Sequence, residues 1–322
     1  MQALLQSTAV YKLLQTQAQA DKLSHAYLLL YADEKNLRKA CGEFAKLLFL
    51  NRGLNEKQEA RVCSLIEKER FCDCLVFPEE GKKFAVEHAE RIAEECMLMP
   101  VEGDRKVFII ADFAEANAVS QNKLLKLLEN PPEGVIFLLG ATESYSLLST
   151  VLSRVAKLEI PPFTEGDIAA ALSRIYGEGY AREDITVCAA ACGGNLGVAQ
   201  DMLEGGGYKT LLDEAYSLAL CPLSQLPTLV RKVGETKQKR QLLSMLRIVF
   251  RDALVCKIGK GEAAFLQAQR SHTQKIADRF LERALLYAQE RLSNAESEVQ
   301  FNAVFPQCLE TLIASVLREN EK

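Results

Sequence analysis

Three short stretches of this 322-residue chain carry side chains where phosphate chemistry would need them. The first is Tyr31-Ala32-Asp33-Glu34-Lys35-Asn36-Leu37-Arg38, which follows an apolar run and opens a helical pattern. A phosphate-binding loop at that place reads G-x-x-x-x-G-K-[ST]. Its glycines let backbone N–H groups wrap a phosphate, and its Lys and Ser/Thr hold phosphate and magnesium. In that register Tyr31 and Asn36 replace the glycines, Leu37 the lysine and Arg38 the Ser/Thr. Lys35 lies two residues early, and Asp33 and Glu34 add negative charge where phosphate would sit. The second stretch is Ala111-Asp112, at the end of the apolar run from Val107. A hydrolytic site would place there an Asp toward magnesium and a Glu that polarises the attacking water; the first is missing and the second is shortened to Asp112. The third is Ser153-Arg154, after a short helical piece and before a strand. A guanidinium is planar, permanently charged and suited to phosphate oxygens. Taken alone, Arg154 also reads as a surface arginine at a strand start. The shape of a nucleotide site is kept while its chemistry is gone.

These residues need a scaffold, and the apolar patterning predicts one. Strands are expected over 23–30, 107–111, 135–139 and 155–160. Helices alternate with them at 2–20 (apolar candidates Leu5, Val10, Leu13 and Leu14), at 37–48, at 86–98 and at 119–128 (Val119, Leu124, Leu127 and Leu128 on one side). Pro131-Pro132 stops the last of these, because proline lacks an N–H and disfavours helix in the residue before it. Short apolar runs alternating with helices predict a parallel sheet covered on both faces, with ligand loops at the strand ends. Residues 51–84 read as polar and irregular. Cys63, Cys72 and Cys74 there, spaced C-x8-C-x-C, fall short of the four ligands of structural zinc, so free thiols are expected and no metal. His25 reads as a structural residue at a strand entrance and His88 as a solvated helix residue. Thr142 reads as a turn cap.

Composition narrows the class. The chain is 48% hydrophobic and 25% charged, with a net charge of −4, which is ordinary for a globular protein. A dedicated, independent DNA binder is more often basic, so any DNA contact is expected to be local or shared with partners. Ten cysteines at irregular spacing, with no export signal and no apolar run near ~18 residues, lead to the expectation of a reduced, cytoplasmic protein.

Two motifs in order make the pattern specific. Asn122-Lys123-Leu124-Leu125-Lys126-Leu127-Leu128-Glu129-Asn130-Pro131-Pro132 resembles the "N-x-L-L-K-x-L-E-x-P-P" segment of DNA clamp-loader subunits, and Leu152-Ser153-Arg154 falls where that family carries its "S-R-C" arginine motif. His25-Ala26-Tyr27-Leu28 matches the "H-A-Y-L" that precedes the family's phosphate-binding loop. The resemblance is to the clamp-loader AAA+ family of bacterial DNA polymerase III. It implies an α/β, P-loop-type AAA+ domain over 1–163, a three-helix lid over 164–205 and a helical collar for oligomerisation over 208–322. It also implies tau/gamma-type and delta-type partner subunits, primed DNA within the complex, and a sliding clamp contacted indirectly. With a degenerate loop, a non-hydrolysing subunit of the delta-prime type is expected. It would bind no cofactor, and Arg154, positioned by Ser153, would complete a neighbour's ATP site. The family's lid carries a sensor arginine near the position of Gly197, and none is there. Lys123 and Lys126 are DNA-contact candidates. The alternative, a working ATPase of the tau/gamma or recombination-helper type, conflicts with Tyr31–Arg38.

The C-terminal half reads as helical throughout. Thr164-Glu165-Gly166-Asp167 is a helix start, followed by helices near 165–175, 182–192 and 196–204. Gly205-Gly206-Gly207 is the clearest linker. Helices near 209–220, 223–233, 237–258, 273–292 and 299–318 follow, the third with Leu242, Leu246, Val249, Leu254 and Ile258 on or near one face. Lys237-Gln238-Lys239-Arg240 reads as a solvated helix start.

Overall fold

Short runs of β-branched and leucine residues pair into a parallel sheet, and helices from the intervening segments cover it. In the computed structural model, which describes residues 1–49 and 55–322, the first half begins with α1 (Gln2–Ser7), α2 (Ala9–Gln19), β1 (Ala26–Leu30), α3 (Glu34–Phe49) and α4 (Glu56–Glu67). It continues through β2 (Cys74–Phe77), α5 (Val86–Glu95), β3 (Lys106–Ile110), α6 (Ala118–Glu129), β4 (Val135–Ala141), α7 (Ser149–Leu152) and β5 (Ala156–Glu159). Strand order is β2-β3-β4-β1-β5, all parallel. Every residue of β3 and of β4 is buried, as expected of strands covered on both faces. Phe108 and Phe137 stack between these strands with centroids 5.7 Å apart. Gly140 permits close helix packing: a Cβ there would lie 2.6 Å from Cys41 Sγ on α3.

Three expectations are corrected in this half. The single helix over 2–20 is two, because Thr8 turns extended; its hydroxyl accepts the Tyr11 N–H and donates to the Leu5 carbonyl, capping α2. Leu13 then points outward, at 53% exposed, and Tyr11 is buried instead. The supposedly irregular 51–84 holds α4, opened by an Asn55–Gln58 capping box, and an edge strand, β2; residues 50–54 of that region lie outside the described residues. On α6, Leu124, Leu127 and Leu128 are buried but Val119 is 61% exposed.

Residues 1–162 and 163–322 form two compact units. The second comprises α8 (Glu165–Tyr176), α9 (Arg182–Ala191), α10 (Leu196–Glu204), α11 (Gly207–Leu220), α12 (Leu226–Val233), α13 (Lys239–Lys257), α14 (Arg270–Arg279), α15 (Glu282–Gln300) and α16 (Phe305–Glu321). Thr164 caps α8 by accepting the Asp167 N–H. The helix over 196–204 does not run on: Gly206 adopts φ +61°, a left-handed conformation open to glycine, and α11 starts afresh. The stretch expected as one helix over 273–292 breaks at Phe280-Leu281, where the Asn320 side chain accepts the Leu281 N–H and donates to the Arg279 carbonyl. Leu242, Leu246 and Val249 face the core of this unit, whereas Ile258 follows the end of α13 and is 48% exposed.

Candidate functional site

The Tyr31–Arg38 segment follows the C-terminal end of β1, where a phosphate-binding loop would be. Its interior is occupied by its own side chains. Asp33, 1% exposed and just before α3, accepts the Asn36 N–H (3.1 Å), the Asn36 side-chain amide (2.8 Å) and the Tyr31 hydroxyl (3.1 Å). A carboxylate therefore holds the helix N-terminus that would otherwise attract a phosphate. Burial and the adjacent Asp33 charge push the Tyr31 hydroxyl pKa far up, so it stays a neutral donor. Leu37, in the lysine register, is buried. Arg38 spans the cleft beside it: Nε and Nη2 grip Glu69 at 2.6 and 2.5 Å, and Nη1 donates to the Pro78 carbonyl at 2.7 Å. The cleft, about 570 Å³, has room for a ligand and is lined by acids such as Glu34, Glu69 and Asp112 and also by Lys35, Lys39, Lys68 and Lys82, but no lysine stands in the P-loop register.

Ala111-Asp112 closes the same cleft from the end of β3. Ala111 is buried, and its N–H bonds the Phe77 carbonyl at 2.8 Å. Asp112 adopts φ 55°, left-handed and unusual for a residue with a side chain. Burial raises the pKa of its carboxyl, aided by Glu115 and Glu34 and opposed by Lys83. Thr142 directly follows β4 at the same sheet edge and is half-buried.

Arg154 lies at the other edge. Register pairs Tyr27 with Ala156, and Leu30 with Glu159. The turn holding Ser153 and Arg154 thus stands at the N-terminal ends of β1 and β5, while the Tyr31–Arg38 segment stands at the C-terminal end of β1. Strand rise puts roughly 13 Å of sheet between the two edges. Ser153 caps α7; its hydroxyl donates to the Thr150 carbonyl (3.1 Å) and accepts from Arg154 Nη1 (3.1 Å). Arg154 Nη1 also donates to the Thr150 carbonyl (2.7 Å), and Nη2 forms an ion pair with Glu129. The side chain is 31% exposed.

The remaining candidates are scattered. Lys123 and Lys126 are both exposed on α6, and Lys123 pairs with Glu90 at 3.1 Å. Gly197 is buried in the first turn of α10. His25 holds a structural place: its Nε2 donates to the Leu128 carbonyl at 3.0 Å, tying the start of β1 to the end of α6. His88 is not a solvated helix residue. Its ring stacks on Phe84 at 5.6 Å, and its Nδ1 accepts the Ala85 N–H, securing the start of α5. Cys63 is half-buried on α4, Cys72 exposed and Cys74 buried in β2. Among the described residues no cluster of three or more His, Cys, Asp or Glu is arranged to hold a metal, and no helix is long and apolar enough to cross a membrane.

Two side chains that sequence reasoning passed over frame the arginine turn. Gln121 is 1% exposed; its amide donates to the Ala116 and Ser146 carbonyls and accepts the Leu148 N–H, fixing the link from α6 to α7. Glu129 was in view only as a motif letter. Its sign was the available signal, because a carboxylate at a helix C-terminus opposes the macrodipole.

Comparison with known proteins gives this arrangement a context. Residues 6–164 match the family model described as DNA polymerase III, delta subunit. The DNA polymerase III subunit tau/gamma of Haemophilus influenzae is 31% identical over 157 residues, covering 48% of this chain and 23% of the relative. The subunit delta' of Bacillus subtilis is 30% identical over 156 residues, covering 48% of this chain and 47% of the relative. The chain thus spans less than half the length of these curated relatives. A solved structure of a gamma subunit-related protein from Thermotoga maritima overlaps 96% of this chain and 99% of its own, at 16% identity and a TM-score of 0.41.

Proposed function

We propose that this chain, whose residues 6–164 match the family model described as DNA polymerase III, delta subunit, is a clamp-loader subunit of DNA polymerase III and works as a non-hydrolysing subunit of the delta-prime type. The observation that carries the reading is the division of labour across the sheet. At one edge the phosphate site is filled by Asp33 and spanned by Arg38; at the opposite edge Arg154 stands in a turn, too far away to serve that cleft. An arginine so placed suits a γ-phosphate held by another subunit. The tau/gamma-type neighbour would supply the P-loop lysine, magnesium and water-orienting acid, and this chain positive charge. A trans arginine can raise phosphoryl transfer by ~10³–10⁵-fold.

In this reading Ser153 positions Arg154 and has no nucleophilic role, since no base adjoins it in the motif. Residues 164–205 act as the lid and 208–322 as the collar that assembles with tau/gamma- and delta-type subunits. The sliding clamp is served through the complex. Primed DNA inside the ring would meet Lys126 more readily than Lys123, whose charge is shared with Glu90.

The test is an equilibrium titration of the isolated chain with ATP and magnesium. No binding at millimolar nucleotide is expected, and micromolar affinity would overturn the reading in favour of an active ATPase.

A further inference from the structure

Glu129 occupies the last position of α6, where the exposed helix carbonyls disfavour a carboxylate. Its reward is a partner 25 positions away, the Nη2 of Arg154. The two are held by separate anchors. His25 Nε2 bonds the carbonyl of Leu128, fixing the helix end that carries Glu129. Thr150 and Ser153 bond Nη1 of Arg154, fixing the other half of the guanidinium. Three of the five guanidinium N–H groups are thus engaged within the chain, leaving two for an outside acceptor.

We propose that Glu129 is the positioning residue of Arg154. It holds Nη2 while Thr150 and Ser153 hold Nη1, so the guanidinium is fixed on both sides and presents its two remaining donors to a phosphate oxygen on an adjacent subunit. This inference rests on the reading of Arg154 as an arginine acting in trans. The gain is preorganisation: a guanidinium already placed loses less freedom on meeting the polyphosphate.

The experiment uses the ring reconstituted from this chain and its tau/gamma- and delta-type partners, with primed DNA and clamp, each variant ring first shown intact by size-exclusion chromatography. Glu129→Ala should lower the ATPase kcat about fivefold, the factor to which the upper contribution of an exposed ion pair corresponds, with KM for ATP within about twofold because the arginine contributes at the transition state. Glu129→Gln keeps an acceptor oxygen and should recover part of the loss. In an Arg154→Ala background, Glu129→Ala should have no further effect, which a merely structural role would not produce. Unchanged or raised turnover with Glu129→Ala, or losses that simply multiply in the double variant, would overturn the proposal. If Arg154→Ala lowers turnover and Glu129→Ala does not, only the role of Glu129 fails. If Arg154→Ala itself is silent, the trans-arginine reading fails, and this inference with it.

Discussion

Replacing Asp33 with alanine removes the buried carboxylate that holds the Tyr31–Asn36 turn, and the structure sets the scale of the effect. The side chain is 1% exposed and accepts hydrogen bonds from the Asn36 N–H, the Asn36 amide and the Tyr31 hydroxyl. The bond to the Asn36 N–H acts as a helix cap, for which alanine costs about 1 kcal/mol. The bonds from the Asn36 amide and the Tyr31 hydroxyl each contribute about 1 kcal/mol more. Relief of burying a charge offsets part of that sum, so Asp33→Ala should destabilise residues 1–162 by about 2 kcal/mol. Asp33→Asn keeps an acceptor oxygen and should cost roughly half as much. With nine tyrosines and no tryptophan, urea unfolding is followed by tyrosine fluorescence and far-UV circular dichroism, comparing midpoints at unchanged slope. Neither variant should gain ATP affinity, because Leu37 still stands in the lysine register. A loss under about 0.5 kcal/mol, the size of an ordinary surface change, would refute the view that Asp33 holds this loop together.

Two further outcomes follow from named contacts. Asp73 is fully buried and accepts the N–H groups of Val101, Glu102 and Gly103 at 2.7, 2.7 and 3.1 Å; Asp73→Ala should speed amide exchange at these positions by about tenfold or more, and unchanged protection would contradict the anchoring role. The folded-state pKa of Asp112 is raised, so its effect on stability is favourable below its unfolded pKa and is lost as pH rises through the folded value. Asp112→Asn, which tolerates the left-handed backbone, should therefore stabilise the protein at neutral pH, with the gain fading as pH falls toward the unfolded carboxyl range. A gain that grows on acidification would reverse this assignment.

The sequence announced the parallel sheet because its central strands are near-continuous apolar runs, and Pro131-Pro132 marked the end of α6 without ambiguity. It hid β2, since Cys74–Phe77 is a short edge strand with only half-buried Leu75 and Val76 between its ends. The break at Thr8 was hidden too, because a threonine that caps one helix looks, in a periodic pattern, like a threonine inside a longer one. At the site, Leu37, Arg38 and Ala111 were legible as departures from a phosphate-site pattern at fixed spacing. What Asp33 and Arg38 do instead was not legible: Arg38 meets Glu69 and Pro78 across 31 and 40 positions. The Glu129–Arg154 pair was hidden for the same reason, a sequence separation of 25. The opposition of the two sheet edges could be read only once strand register was known.

The measurement that bears most directly on the account is the steady-state ATPase of the reconstituted ring, with DNA and clamp, carrying Arg154→Ala or Arg154→Lys in this chain alone. Both variants should fold, with stability changed by about 0.5 kcal/mol or less, and both should assemble. Turnover should fall with Arg154→Ala if Arg154 acts in trans as proposed, and Arg154→Lys should rescue poorly because an ammonium lacks the planar fork. Unchanged turnover with Arg154→Ala in an intact ring would reduce Arg154 to a surface residue and contradict the account.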